Sequence, residues 1–177
     1  MNTYIFKSQR LGFRNWKDSD IEALHEINSD KKVMEFFPRI KTKEESSNFM
    51  KRMQNQFETR GYCYFATDLL EENKMIGFVG LAYQTYEAPF TPAVDIGWRL
   101  NKNYWGKGYA TEGAKACLDF AFNALNINEV ISLASAINIP SINVMKKINM
   151  EYQYDFEHAL LVEYPKISKC SLYKITK

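Results

Sequence analysis

Half of the chain's glycines lie in one segment that is predicted to run from a strand through a loop into a helix: Gly97, Gly106, Gly108 and Gly113. Gly106 and Gly108 carry no β-carbon, so the backbone N–H groups of this loop can approach an anion closely. The helix that begins near Tyr109 adds the positive end of its dipole at the same point. Loop and helix together predict a binding site for a pyrophosphate.

Two other phosphate-binding patterns do not fit this loop. It lacks the G-x-x-x-x-G-K-[S/T] spacing of a P-loop, and Thr111 occupies the position of the third glycine in G-x-G-x-x-G. A dinucleotide-binding domain of the Rossmann type also alternates strands and helices regularly, and this chain does not. A glycine-rich connection without a ligand remains the alternative for this segment taken alone.

Length and charge narrow the class of protein. The 177 residues suit one domain spanning 1–177, and a chain of this size can bury a core without disulfides. Lys and Arg number 23 against 21 Asp and Glu, and this near balance argues against a nucleic-acid partner. The sequence contains no run of 18 apolar residues, so no membrane helix is predicted. The first residues also lack the apolar run of a signal peptide.

The cysteines and histidines indicate a reduced protein without a metal. Cys63, Cys117 and Cys170 are odd in number and widely spaced, which fits neither a disulfide framework nor a zinc site. His25 and His158 are far apart along the chain. We therefore expect a cytoplasmic protein with no metal, no nucleic acid and no membrane among its partners.

The order of the predicted elements is mixed. Alternating and apolar runs predict strands at 10–14, 62–67, 75–83, 93–100, 130–136, 152–156 and 170–175. Helices are predicted after Asp18 and Asp20, between Thr42 and Gly61, and at 109–125 and 140–148. Thr42 and Glu45 have the spacing of a capping box, and Gly61 is expected to end that helix. The chain is therefore predicted to be an α+β domain with one mixed, mostly antiparallel sheet of about seven strands flanked by helices.

A second group of polar residues opens the helix at 140–148. Asn138 precedes this helix and Ser141 lies in its first turn. A helix cap explains Asn138 fully, and a first-turn hydroxyl explains Ser141, so neither residue alone indicates a site.

The two groups together resemble the GNAT superfamily of acyl-CoA-dependent N-acetyltransferases, and within it the branch of the ribosomal-protein acetyltransferases RimJ and RimL. The resemblance covers nearly the whole chain, and the glycine loop is its most specific part. It is carried by the segments at 10–16 (RLGFRNW) with Asp20, 95–98 (DIGW), 104–112 (YWGKGYATE) and 138–141 (NIPS).

This resemblance implies acetyl-CoA as co-substrate and an amine as acceptor. Asn103, Gly106 and Gly108 match the family's Q/R-x-x-G-x-G/A motif, with asparagine in place of glutamine or arginine. The residues expected to bind acetyl-CoA are Trp98, Leu100, Trp105, Gly106, Lys107, Gly108, Tyr109, Ala110, Thr111, Asn138 and Ser141.

Two departures from the family concern the helix at 140–148. Met145 stands where many members have a tyrosine that protonates the departing thiolate, and a thioether cannot donate a proton. Ser141 or water must then act as the acid, or none is needed. Asn149 and Met150 replace the family's Gly-Phe, and asparagine tolerates the left-handed conformation at a helix end.

Asp95, Asn138 and Ser141 are the candidate catalytic residues. Asp95 precedes the stretch expected to flank the thioester, so it is the first candidate for the base that takes the amine's proton. Glu157 and His158 are the alternative bases, while Glu112 is given no catalytic role. A backbone N–H of the strand at 93–100 is expected to polarise the carbonyl, and Gly97 is expected to mark a β-bulge that frees it.

The acceptor can be predicted only by class. An α-amine with a pKa near 8 is about a tenth neutral at pH 7, whereas a lysine near 10.4 is neutral in about a thousandth of molecules or less. A site without a strong base therefore favours α-amines, and the resemblance implies protein N-termini. A small-molecule amine, a non-catalytic acyl-CoA-binding module and a homodimer all remain open.

Overall fold

A single sheet of eight strands runs through the computed structural model, which describes residues 4–177. Across the sheet the order is β1-β2-β3-β4-β5-β6-β8-β7, and only the β5–β6 pair is parallel. The strands are β1 (Phe6–Lys7), β2 (Leu11–Arg14), β3 (Tyr64–Leu69), β4 (Lys74–Gln84), β5 (Ala93–Leu100), β6 (Glu129–Ser135), β7 (Glu151–Glu157) and β8 (Lys169–Thr176).

The predicted α+β architecture is confirmed, and the predicted strand number is one too low. The missing strand is β1, whose two residues are too few to show alternation in the sequence. It is recognised only through its pairing, because Phe6 lies opposite Phe13 of β2.

Within the described residues, four α-helices flank the sheet: α1 (Ile21–Ser29), α2 (Lys43–Arg60), α3 (Tyr109–Asp119) and α4 (Ile139–Lys147). The helix predicted at 109–125 is confirmed with one change, because its last part, Phe120–Ala124, is a π-helical turn. The predicted ends of α2 are also confirmed. Thr42 Oγ1 accepts from the Glu45 N–H at 3.1 Å, the Glu45 carboxylate accepts from the Thr42 N–H at 2.9 Å, and Gly61 ends the helix at φ 77°.

The helices cover opposite faces of the sheet. Phe49 of α2 packs on Phe78 of β4, with ring centroids 5.1 Å apart. Gly113 of α3 lies against Val79, the next residue of β4, where an added β-carbon would be 3.1 Å from the valine side chain. Since successive side chains of a strand point to opposite faces, α2 and α3 lie on different sides of the sheet.

A buried ion-pair network fixes β2 to its neighbours. The Arg14 guanidinium donates to both carboxylate oxygens of Asp20, before α1, and to both of Asp68 on β3, at 2.7 to 2.9 Å. All three side chains are less than a tenth exposed. Arg14 therefore connects β2, on which it lies, to β3 and to the start of α1.

Some smaller expectations concern single residues. Asn149 adopts the predicted left-handed conformation after α4, at φ 62°. The three cysteines are free and buried. Within residues 4–177, every helix is too short or too polar to cross a bilayer.

Candidate active site

The two parallel strands β5 and β6 separate after a single point of pairing. Their ladder contains one bridge, between Asp95 and Ile131. One residue further, the Ser132 hydroxyl donates to the Ile96 carbonyl at 2.9 Å. Because backbone groups point to alternate sides along a strand, Trp98 directs its N–H toward the same side as Ile96, into the opening. The separation thus leaves backbone donors of β5 free to bind a ligand.

Gly97 does not form the predicted bulge. The register between β4 and β5 is continuous through the Gly80–Gly97 pair, so the backbone N–H groups are freed by the separation from β6 instead. The glycine serves another purpose, because a β-carbon at Gly97 would lie 3.0 Å from the Tyr64 ring. Its absence lets this ring lie across β4 and β5.

A cleft of about 390 Å³ occupies the opening and extends toward the segment that joins α1 to α2. Five residues that the sequence predicted as functional candidates line it together: Asp95, Trp98, Asn138, Ser141 and the alternative base His158. Residues that the sequence did not single out as functional also line it, among them Phe37, Tyr64, Arg99, Ser132 and Ser135.

Asp95 is a buried carboxylate held by three donors. The Tyr64 hydroxyl donates to Oδ1 at 2.6 Å and the Gln84 amide to Oδ2 at 3.0 Å, and the Ala82 N–H of β4 is the third donor. Burial raises the pKa of Asp95 to about 6, although all three hydrogen bonds favour its ionised form. The two oxygens offer about four lone-pair positions and three are engaged, so at neutral pH the carboxylate can still accept a proton.

The two alternative bases are less well placed. The His158 ring lines the cleft, but its Nδ1 accepts from the Leu160 N–H at 3.2 Å, and burial lowers its pKa. A neutral imidazole with Nδ1 engaged carries its proton on Nε2 and is a donor there. Glu157 is exposed on β7 and is absent from the cleft lining. The geometry therefore favours Asp95 as the base.

The start of α4 brings polar groups to the other side of the opening. Asn138 Oδ1 accepts from the Ser141 N–H at 3.2 Å, which confirms the predicted cap. Met145 lines the cleft and is fully buried, so the side chain at this point is a thioether, which cannot donate a proton. Ser135 is a further hydroxyl there, and its buried Oγ has no hydrogen-bond partner within the described part of the chain.

The glycine loop has the conformation that the pyrophosphate site requires. Gly106 and Gly108 have φ angles of 75° and 83°, in the left-handed region that other residues rarely adopt. Gly108 is the N-terminal cap of α3 and, within residues 4–177, no side chain caps this helix. A β-carbon at Gly106 would meet nothing within 4 Å. The first N–H groups of α3 are therefore left for an external acceptor.

The remaining predicted loop residues differ in what they can offer a ligand. Leu100 and Tyr109 are at most 5% exposed, so only their backbones can contribute. Trp105 is 43% exposed, and its indole donates to the Leu100 carbonyl at 2.8 Å. The others, which are Lys107, Ala110 and Thr111, lie at or near the surface.

Glu112 anchors the loop. Its carboxylate accepts from the Ser8 hydroxyl at 2.7 Å and from the backbone and side chain of Arg10 at 2.8 and 2.6 Å. Arg10 also donates to the Lys107 carbonyl at 3.1 Å. This structural role agrees with the absence of a catalytic assignment for Glu112.

Comparison with known proteins agrees with the family resemblance that the sequence motifs indicate. A family model described as "Acetyltransferase (GNAT) domain" matches residues 10–151. The uncharacterized N-acetyltransferase YnaD of Bacillus subtilis (strain 168) is 32% identical over 154 residues, which are 86% of each protein.

Solved structures share the fold. The GNAT-family acetyltransferase from Bacillus anthracis matches with a TM-score of 0.79 and 28% identity, covering 96% of both chains. RimL, described as a ribosomal L7/L12 alpha-N-protein acetyltransferase in complex with coenzyme A, matches with a TM-score of 0.77, 20% identity and 98% coverage of both chains.

Proposed function

The chain belongs to the GNAT acetyltransferase family, and we propose that it transfers the acetyl group of acetyl-CoA to the α-amine of a protein N-terminus. The observation that carries this proposal is the opening between β5 and β6, which has free backbone donors on one side and a buried carboxylate of raised pKa beside it.

The donor would lie along the opening and the glycine loop. The uncapped start of α3, with its two left-handed glycines, suits the pyrophosphate. The cleft between Trp98 and Asn138 suits the pantetheine arm. Acetyl-CoA supplies the activated acyl group, and the Trp98 N–H would stabilise negative charge that develops on its carbonyl oxygen.

Asp95 would accept the proton of the attacking amine. A carboxylate with a pKa of about 6 is mostly ionised at pH 7, yet it is a better base than an exposed aspartate. Tyr64 and Gln84 hold it in a fixed orientation. On the opposite side of the opening, Ser141 and Ser135 are the hydroxyls that could return a proton to the departing thiolate.

The strength of this base favours an α-amine. A base with a pKa near 6 gains little by deprotonating a lysine whose pKa is near 10.4, whereas an α-amine with a pKa near 8 is already partly neutral. RimL, which shares this fold, is described as an alpha-N-protein acetyltransferase. A small-molecule amine is the second candidate, and Met145 favours a third, a module that binds acyl-CoA without turnover.

Donor binding is tested by two matched glycine substitutions. CoA at a hundred times its Kd should stabilise the protein by about 2.7 kcal/mol and raise its melting temperature. Gly106→Ala should lose most of this increase, because its new β-carbon occupies the anion site. Gly61→Ala introduces the same left-handed strain at the end of α2, φ 77° against 75°, and should keep the increase. Equal increases in both variants would place the pyrophosphate elsewhere.

Acceptor class is tested by a panel assay. Free thiol released from acetyl-CoA is measured with N-terminal peptides, with the same peptides blocked at the α-amine but carrying lysine, and with small amines. Turnover of the unblocked peptides supports the proposal. Turnover of small amines alone favours the second candidate, and CoA binding without any turnover favours the third.

A further inference from the structure

Arg99 is the one arginine or lysine among the residues that line the cleft. No carboxylate in the described part of the chain forms an ion pair with it. Its Nη1 donates to Asn28 Oδ1 on α1 at 2.7 Å. Its guanidinium carbon lies 4.2 Å from the centroid of Phe37 and 5.3 Å from that of Phe78. These contacts fix the position of the guanidinium without neutralising it.

The free part of the guanidinium is one complete edge. Nε is buried without any hydrogen-bond partner, and Nη2 makes no hydrogen bond to residues 4–177. Nε and Nη2 form the side of the fork that binds a carboxylate through two parallel hydrogen bonds. Burial lowers the pKa of Arg99 to about 10, so the group still carries its charge at neutral pH.

Packing alone does not explain this arrangement. A buried donor without an acceptor destabilises the fold, and a buried cation without one destabilises it more. Arg14 shows how this chain treats a structural arginine, because both edges of that guanidinium are occupied by buried carboxylates. At Arg99 the described residues supply no acceptor for the corresponding edge, which leaves it for a ligand.

We propose that Arg99 binds a carboxylate on the acceptor and thereby selects an α-amine whose own residue has an acidic side chain, as glutamate has. This inference rests on the proposed function, because it assumes that the amine lies beside Asp95.

The spacing along β5 favours a carboxylate that lies some distance from the amine. Asp95, Gly97 and Arg99 lie on one face of the strand, so the α-carbons of the first and last are about 13 Å apart at about 3.3 Å per residue. An α-carboxylate is bonded to the carbon that carries the amine, whereas the γ-carboxylate of glutamate is separated from that carbon by two methylene groups. A carboxylate that can extend along the strand away from the amine therefore fits the separation of the two residues better.

Two isosteric pairs of acceptors test the proposal. The peptide Glu-Ala-Ala amide is compared with Gln-Ala-Ala amide, and free glutamate with free glutamine, so that a peptide source is distinguished from an amino-acid source. The wild-type protein should prefer the acidic member of at least one pair by about ten- to a hundredfold in kcat/KM, because a charge-assisted bidentate contact is lost with the amide.

Arg99→Gln should reduce this preference to about one, and Arg99→Lys should leave an intermediate value because lysine keeps the charge without the fork. Arg60→Gln is the matched control. It removes the same charge from an exposed position at the end of α2, outside the cleft, and should leave the preference unchanged. Melting temperature and CoA affinity establish that each variant is folded.

A binding measurement makes the test independent of turnover. Calorimetric titration of each acceptor into the protein saturated with CoA, which cannot react, should give the same ratio of affinities. Equal affinity for the acidic and neutral members in the wild type, or an unchanged ratio in Arg99→Gln, would overturn the role of Arg99 even if amines are acetylated. Failure of the proposed function is a different result: no CoA stabilisation and no thiol release with any amine.

Discussion

Ionisation of Asp95 has opposite effects on the stability of the fold and on the proposed catalysis. Its pKa is about 6 in the folded protein, against 3.8 for an unperturbed aspartate, because the carboxylate is buried. The stability contributed by a group with a raised pKa is complete below the unfolded value and is lost as the pH rises through the folded one. Between about pH 4 and pH 6, therefore, ionisation of Asp95 weakens the fold while it creates the base.

Asp95→Asn should separate these two effects. Turnover should fall by about 10²–10⁴-fold, the usual contribution of a general base, with CoA affinity unchanged. The free energy of unfolding at pH 7 should rise by about 3 kcal/mol, and this gain should disappear by about pH 3, where aspartate is largely protonated in both states. Steady-state assays and urea unfolding at the two pH values measure both effects. Near-wild-type turnover would exclude Asp95 as the base.

Tyr64→Phe should move the pH dependence of catalysis. The Tyr64 hydroxyl donates to Asp95 at 2.6 Å and stabilises the ionised form, so its removal should raise the pKa of Asp95 above about 6. The acid limb of kcat/KM should then shift to higher pH. Tyr86→Phe is the control, because the buried Tyr86 hydroxyl has no hydrogen-bond partner within the described residues. An acid limb that stays in place in Tyr64→Phe would show that another group titrates.

For single residues, the sequence predicted polar side chains of the site but not the residues that form hydrogen bonds with them. Asp95, Asn138 and Ser141 were found because they lie beside or within motifs of consecutive residues. Tyr64 is 31 positions from Asp95, and Arg99 is 71 positions from the asparagine that orients it. Such pairs are created only when the strands and helices come together, so no local pattern indicates them.

Among the elements, α4 combines a structural and a chemical role in one residue. Asn138 caps the helix through Oδ1, and the same residue also lines the cleft. Asn138→Asp keeps the cap but loses the amide donors, whereas Asn138→Ala loses both. Only the alanine variant should lose about 1 kcal/mol of stability, and turnover should fall in both. If Asn138→Asp retains wild-type turnover, the asparagine is a cap and nothing more.

The connection of β2 to β3 and α1 should depend on the buried Arg14 network. Arg14→Met leaves Asp20 and Asp68 buried without their cation and should cost about 3–5 kcal/mol. Arg39→Met removes an equally short ion pair to Glu45, but Arg39 is 57% exposed, so solvent screens the pair and the expected loss of stability is much smaller. Urea unfolding of the two variants compares them directly. Similar losses of stability in the two variants would show that the buried network stabilises the fold no more than the exposed ion pair does.

Elements defined by short-range rules were predicted well, and those defined by pairing were not. The capping box and Gly61 determine the ends of α2 from neighbouring residues, and both were confirmed. The two-residue β1 and the continuous register at Gly97 depend on the facing strand. The predicted bulge was wrong because the glycine makes room for Tyr64, which belongs to a strand that is not adjacent in the sheet.

Over the whole molecule, the site lies where two parts of the sheet join. Strands β1 to β5 form one part and β6, β8 and β7 the other, and their ladder has a single bridge at Asp95 and Ile131. The placement of β8 between β6 and β7 could not be predicted, because no pattern along the chain specifies which strand a C-terminal strand joins. A ligand that contacts both Trp98 and Asn138 spans this junction.

CoA should therefore strengthen the junction more than the edges of the sheet. Amide hydrogen exchange should slow at Trp98 of β5 and at the start of α4, because the Trp98 N–H faces the opening and the first amides of α4 lie at a helix end. The outer hairpin of β1 and β2 should change least, since its amides are already paired and it lies at the far edge. Ser132→Ala removes the hydroxyl that bridges to Ile96 and should speed exchange at the junction in the free protein, with CoA restoring part of the protection. Exchange that slows equally across all eight strands would instead indicate global stabilisation, and the junction would then not be where the ligand acts.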